Sequence, residues 1–315
     1  MIDPRIRMRH LRCFLETARG GSLSAAAASL HVSQPAASKT IRELEDILNV
    51  TLFARSSRRL TLTPAGKTFQ QHVGAAFIDL GRAEDLVRER PVRRTRLIVG
   101  ALPTASTDLV PRAALSLHDT APECMLRVTT GPNWLLLSQL REGTLDMVVG
   151  RMAGAQVMEG LSFRPLASEP IIAVVRPDHP LAGKPPDATA LAAFPLMLPP
   201  PGAVIAPLVS AYLHSIGLTR PEPAYESVSL SFGRRVVLLS DTVWFISEGV
   251  VRDELSRGLL TKMAIEDNLL SGPVGVSMRM NSTVTAEQKL FLEALVHAAE
   301  SLSHQQADLR QADHQ

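Results

Sequence analysis

The stretch from Ser22 to Leu48 limits the N-terminal fold more tightly than any other part of this 315-residue chain. Leu23-Ser24-Ala25-Ala26-Ala27-Ala28-Ser29-Leu30 combines high helix propensity with side chains small enough for a second helix to approach closely. Gly20-Gly21 stops the helix before it, Ser22 stands where an N-cap is needed, and His31-Val32 leaves room only for a tight turn. Ser33 then caps a third helix with Pro35 in its first turn, and Ile41, Leu44 and Leu48 give that helix one apolar face. Upstream, Met8, Leu11, Phe14, Leu15 and Ala18 recur at helical spacing and predict the core-facing stripe of a first helix.

Two short helices joined by so brief a turn form a helix-turn-helix, whose second helix can lay its N-terminal residues against base edges in a major groove. Ser33, Gln34, Ser38, Lys39 and Arg42 lie away from the apolar face; Gln pairs with adenine, and Lys reaches guanine or phosphate. A polar face alone would mean only solvation, but the Ala-rich helix, the turn and the capped second helix together favour DNA. Alternation at Leu60-Thr61-Leu62-Thr63 predicts a small hairpin, or wing, that presents Arg55, Arg58 and Arg59 to phosphates. Thr63 caps a further helix with Pro64 at its first position. Along it Phe69, Val73, Ala76, Leu80, Ala83 and Val87 alternate at four and three residues, a seam that predicts a dimerisation helix, with packing against its own chain as the alternative. Charge points the same way: residues 1–94 hold 16 Lys and Arg against 9 Asp and Glu, a net of +7, while the remainder holds 17 against 22, a net of −5. A basic module on an acidic body suits phosphate neutralisation.

The basic stretch Arg88-Glu89-Arg90-Pro91-Val92-Arg93-Arg94 separates two compositions, and Pro91 ends the linker helix. Beyond it Leu97–Leu102, Met125–Thr129 and Leu145–Gly150 are short, β-rich and nearly continuous in apolar residues, with helices expected over 107–118 and 133–142. That is a βαβαβ unit with a covered parallel sheet. A second set follows from Ile171: strands at 171–175, 196–198 and 243–246, with helices over 203–216 and 229–239. A strand at 273–280 and a helix at 285–302 return to the first lobe. The expected domains are a DNA-binding module over 1–65, a linker helix over 66–94 and an α/β effector domain over 95–304. Its lobe I spans about 95–167 and 270–304 and its lobe II about 168–269, with a flexible tail at 305–315. Ligands of open α/β sheets bind outside the carboxyl ends of strands. The residues there are Thr104, Ser106, Asn133, Arg151, Gly202, Val204, Ser229 and Ser231; uncharged hydrogen bonders around one Arg suit a small carboxylate.

Other functions lack their chemistry. No GxGxxG, GxxxxGK[ST] or GxSxG motif is present, and the nine histidines are scattered, so neither an enzyme nor a catalytic residue is expected. Cys13 and Cys124 are far apart and read as core fillers rather than zinc ligands or a disulfide, so no metal and no cofactor are expected. No apolar window is long enough to span a bilayer, and the acid and proline at Asp3-Pro4 do not read as a secretory signal, which makes the cytoplasm the expected compartment.

The order of these features, with Val32-Ser33-Gln34-Pro35-Ala36-Ala37-Ser38-Lys39, Leu52-Phe53-Ala54-Arg55 and Leu62-Thr63-Pro64-Ala65-Gly66, resembles the LysR-type transcriptional regulators. The resemblance implies a winged helix-turn-helix, dimers through the linker helix, homotetramers, and a two-lobed effector domain like the periplasmic binding proteins. Promoter DNA is then the main partner, with RNA polymerase a further candidate and activation or repression both open. Position by position it places Gln34, Pro35, Ser38 and Lys39 at the DNA and Arg55 and Arg58 near its backbone. The family often has Arg where Lys39 stands, and Lys lacks the bidentate fork. A finer resemblance, at Arg9-His10-Leu11 and at Val228–Arg234, is to a subgroup holding regulators of protocatechuate catabolism (pca operon) and of galactose-binding-protein uptake genes. The first implies an aromatic-degradation carboxylate, the second a sugar; Arg151 and Arg234 favour the anion, although Arg234 could instead pair with Glu226. An architectural DNA-binding protein that senses nothing is the remaining alternative.

Overall fold

The computed structural model describes residues 3–56, 59–87, 95–265, 270–280 and 282–312. The chain divides into two compact units, residues 1–91 with 141–143 and residues 92–140 with 144–315. The basic run at 88–94 and the wing tip at Ser57 and Arg58 lie outside the described residues.

The first unit runs α1 (Met8–Gly20), α2 (Leu23–Ser29), α3 (Gln34–Leu48), β1 (Phe53–Ser56), β2 (Arg59–Leu62) and α4 (Pro64–Val87). Its helix boundaries follow the expected caps. Gly21 takes a left-handed φ of 62° to end α1. Ser22 Oγ accepts from Ala25 N–H, and Ser33 Oγ from Ala36 N–H. His31 bends the chain between α2 and α3 with φ 55°, and Thr63 Oγ1 accepts from Gly66 N–H to open α4. Phe14 stands at the centre of the core, 5.3 Å from the Phe53 ring and 5.0 Å from Phe69. Around it Ala27 and Ala37 let α2 and α3 come close.

The stripe expected on α1 is rotated. Its buried residues are His10, Cys13, Phe14 and Thr17, whereas Met8 is exposed and Leu11, Leu15 and Ala18 are half-buried. Burial of the two polar residues is affordable because both find partners: Thr17 Oγ1 donates to Cys13 O, and His10 Nδ1 accepts from Arg7 N–H.

The second unit opens with β3 (Arg96–Ala101), α5 (Pro103–Ser106), α6 (Leu109–Thr120), β4 (Met125–Thr130), α7 (Asn133–Arg141) and β5 (Met147–Arg151). β3 lies parallel to both β4 and β5, as the βαβαβ pattern requires. There follow β6 (Leu161–Val175), α8 (Ala188–Ala192), β7 (Leu196–Leu198), α9 (Ala206–Ser215), β8 (Tyr225–Glu226), α10 (Leu230–Leu239), β9 (Val243–Ser247), α11 (Arg252–Ser256), β10 (Thr261–Lys262), β11 (Ser271–Arg279) and α12 (Ala286–Ala312). The strand order is β4-β3-β5-β11-β6-β9-β7-β8, with β10 also on β6.

β6 joins the lobes as one strand. Its residues Leu161–Pro170 pair with β11 in the first lobe, and Ile171–Val174 pair with β9 in the second. The sequence pattern begins this strand only at Ile171, because Pro165 and Pro170 argue against a ladder. The structure accommodates Pro165 at a bulge, where Val274 faces Ala167 and Gly275 faces Pro165, leaving Leu166 as the extra residue. Each lobe has its own core. In the first, Val99, Met147, Phe291 and Leu295 fill one sheet face and Leu136, Leu140 and Leu145 the other; in the second, Trp244, Phe245, Met197 and Val209 pack together. α12 continues to Ala312 where a flexible tail was expected from residue 305; Gln, Ala, Leu and Arg there are good helix formers that extend an existing helix. Among the described residues no helix is long and apolar enough to cross a membrane.

Candidate functional site

In the first unit the N-terminal end of α3 is an exposed polar surface. Ser33, Gln34, Pro35, Lys39 and Arg42 are exposed and Ser38 is half-buried, while Ala37, Ile41 and Leu44 face the core. Arg55 lies on β1; its side chain, like all of Arg58, is outside what the structure describes. Two glutamates to which the sequence pattern assigned no role organise this helix. Glu45 Oε1 accepts from the backbone N–H groups of Leu52 (2.7 Å) and Phe53 (3.1 Å), pinning the start of the wing to α3. Glu43 lies 3.3 Å from both His10 Nε2 and Arg9 and 4.0 Å from Lys39 Nζ. Its carboxyl is held below the ordinary value, first by the His10 hydrogen bond and then by the flanking cations.

In the second unit a cavity of about 670 Å³ opens where the strands of both lobes end. Seven of the eight residues expected at strand ends line it: Thr104, Ser106, Asn133 and Arg151 from the first lobe, Gly202, Val204 and Ser229 from the second. Ser231 does not. It sits inside the first turn of α10, exposed, with its hydroxyl 3.2 Å from that of the N-cap residue Ser229, and so belongs to the helix rather than the cleft. Arg234 does not line the cavity either; it pairs with Glu254 at 3.2 Å, not with Glu226. Arg151 is thus the cation of the cleft.

Arg151 is 5% exposed. Its Nη2 donates to Glu169 O (2.9 Å) and Ser247 Oγ (3.2 Å), while Nε and Nη1 are buried without a hydrogen-bond partner. The Glu169 carboxylate stands 3.7 Å away, receives the Thr104 hydroxyl, and is itself buried. Burial lowers the Arg151 pKa and raises that of Glu169, and in each the partner's charge pulls the other way. Two glycines make room for the pair. A Cβ on Gly249 would lie 2.6 Å from Glu169 Oε2, and one on Gly272 2.8 Å from Arg151 Nη1. Glu169, Ser247, Gly249 and Gly272, beside Arg151, and the exposed Trp134 on the cavity wall were not legible as site residues, because only the folded lobes bring them to the cleft.

The second unit thus offers an apolar-walled recess with one buried guanidinium that suits an anion, and the first unit offers an exposed helix surface suited to a duplex. Family profiles agree with both halves: the LysR substrate binding domain matches residues 91–300, and the bacterial regulatory helix-turn-helix protein of the lysR family matches residues 8–67. The chain belongs to the LysR family of transcriptional regulators. It is a DNA-binding regulator with a domain for a small-molecule effector, not an enzyme. The HTH-type transcriptional regulator PcaQ of Agrobacterium fabrum is 40% identical over 306 residues, covering 96% of this chain and 98% of that protein. YdcI, an HTH-type transcriptional regulator of Escherichia coli, is 31% identical and covers 94% of this chain and 96% of its own. Among solved structures, ArgP from Mycobacterium tuberculosis shares the fold with a TM-score of 0.68 at 18% identity, over 93% of this chain and 97% of that one.

Proposed function

We propose that this regulator senses a small carboxylate from aromatic degradation in the cavity between its lobes and controls catabolic genes in response. The observation that carries the reading is the buried Arg151, which lines the cavity and whose Nε and Nη1 no protein acceptor satisfies. A carboxylate entering the cavity can accept from this guanidinium, the side chain best suited to hold one. Thr104, Ser106, Asn133 and Ser229 then orient the remainder by hydrogen bonds, with Gly202 and Val204 closing over it. The likeness to PcaQ agrees with the pca-type branch of the family and supports an aromatic-degradation acid over a sugar.

On the DNA side, Gln34, Ser38, Lys39 and Arg42 read or approach the major groove, Ser33 and Pro35 set the end of α3, and Arg55 and Arg58 meet the backbone. Dimers form along α4, whose Ala76 and Leu80 are exposed, and pairs of dimers make tetramers that engage RNA polymerase in the bacterial cytoplasm.

Thermal-shift titration of the purified protein with protocatechuate, carboxymuconate, related dicarboxylates and simple sugars tests the effector class. Saturable stabilisation by one anion, lost in Arg151→Met, is the expected result. Stabilisation by a sugar alone would transfer the protein to the uptake-gene reading, and no response to any acid would remove support for the carboxylate.

A further inference from the structure

We propose that Glu169 is the built-in counter-ion of the effector cleft, balancing Arg151 when no anion is bound and taking up a proton from solvent when a carboxylate binds. This inference rests on the reading of the cleft as an anion site and specifies how the site handles charge.

The geometry separates the roles of the two residues. Arg151 lines the cavity, whereas Glu169 stands behind it with its carboxylate 3.7 Å from Nη2. Glu169 is 6% exposed and accepts from the Thr104 hydroxyl and from the Gly249 backbone N–H. The charged groups acting on it are few. Arg151 faces it from β5 and Arg252 from α11, and Arg252 is itself engaged by Asp108, 3.3 Å away at the start of α6. The nearby acids are occupied elsewhere: Glu248 pairs with Lys262 at 2.9 Å and Glu254 with Arg234 at 3.2 Å.

With no anion bound and both groups ionised, Arg151 and Glu169 sum to zero charge. A carboxylate docking on Arg151 places two anions around one buried cation, and like charges at such range cannot both stay ionised cheaply when so little water reaches them. The effector carboxylate gains direct N–H donors, so it stays ionised. Glu169 is the group to neutralise, because burial already lifts its pKa above the ordinary carboxyl range despite the pull of Thr104, Arg151 and Arg252. The proton comes from water or buffer and ends on a Glu169 oxygen. Thr104 then needs only to rotate its hydroxyl, turning from donor to acceptor. Glu169 does not touch the ligand and acts through Arg151, as a positioning residue.

The test pairs a natural-type acid with a minimal one. Calorimetric titration with carboxymuconate, in two buffers of different ionisation heat, is expected to report net uptake of up to one proton. The dissociation constant should rise by up to tenfold per pH unit between pH 6 and 8. Glu169→Gln, which mimics the protonated acid, should bind with no pH dependence in that range and no proton uptake. A wild-type dissociation constant that is flat with pH, with no proton uptake, would overturn the proposal while leaving the effector assignment intact. Sodium formate, compared with equal sodium chloride in thermal-shift assays, needs no knowledge of the effector. It should stabilise the wild type more at pH 6 than at pH 8, and equal effects at the two pH values, or none, would also overturn the proposal. A formate effect of the expected sign without carboxymuconate binding would sustain the counter-ion role and reject only the effector class. Should the Gln variant fail to fold, the two wild-type measurements decide alone.

Discussion

Removing the Arg151 guanidinium would leave the Glu169 carboxylate buried without its nearest counter-charge, and breaking one partner of such a pair costs on the order of 3–5 kcal/mol. The cost has a pH signature. The folded pKa of Glu169 is raised above its ordinary value by burial, and losing Arg151 raises it further. A carboxyl whose folded pKa lies above its unfolded one destabilises the fold progressively as pH climbs from the unfolded value to the folded one. Arg151→Met is therefore expected to melt close to the wild type at pH 5 and well below it at pH 8. A deficit that is constant across that range would mean Glu169 is not the group being left alone. Arg151 itself was legible in the sequence as the lone cation after a strand, since strand ends in α/β sheets are where ligands sit. Its setting was not. Gly249 and Gly272 carry no local signal, because the close approaches they permit, to Glu169 and to Arg151 Nη1, exist only once residues some 80 to 120 positions apart have met. Ser231 was assigned to the cleft because strand-end position cannot distinguish a cap residue from its neighbour inside the helix.

At the scale of elements, the helix-turn-helix, the wing and the βαβαβ unit could be read from caps and apolar periodicity because those signals are local. Three features could not. The face of α1 turned because His10 and Thr17 satisfy their polar atoms internally, something a hydrophobic stripe cannot register. The first ten residues of β6 were hidden by prolines that a bulge absorbs, and α12 outlasts the apolar pattern that suggested its end. The wing's attachment to α4 gives a prediction at this scale. A Cβ on Gly66 would lie 2.1 Å from Leu52 O, a backbone atom held in place because Thr63 N–H donates to the same oxygen. With no flexible side chain to yield, Gly66→Ala must shift the start of α4 against the wing. A loss of about 1–3 kcal/mol, typical of overpacking, is expected in chemical denaturation, together with weaker DNA binding in gel-shift assays. Wild-type stability in this variant would show that the junction is looser than its packing implies.

For the whole molecule, the seam on α4 is the test of the proposed dimer. Phe69 packs into the core of the first unit and Val73 is buried, but Leu80, two turns further along, is 53% exposed. An exposed leucine in phase with a buried seam is what a partner helix would cover. Leu80→Asp should lower the sedimentation mass toward the monomer and weaken operator binding by the loss of a second half-site. Unchanged mass would move the interface elsewhere. The same assembly frames how an effector is transmitted. Arg151 and Asn133 come from one lobe and Gly202, Val204 and Ser229 from the other, so a carboxylate that touches both favours the closed arrangement by its differential affinity alone. In the proposed tetramer, closure would change how dimers pack and hence the angle through which DNA bends between their sites. Bending a site of 20–30 bp costs on the order of 1–6 kcal/mol, a range that overlaps the about 1–3 kcal/mol typical of coupling between sites. Saturating effector is therefore expected to change the bend in circular-permutation assays and the length of the footprint, with a smaller change in overall affinity. If a ligand proven to bind at Arg151 left bend, footprint and transcription all unaltered, lobe closure would not be the signal.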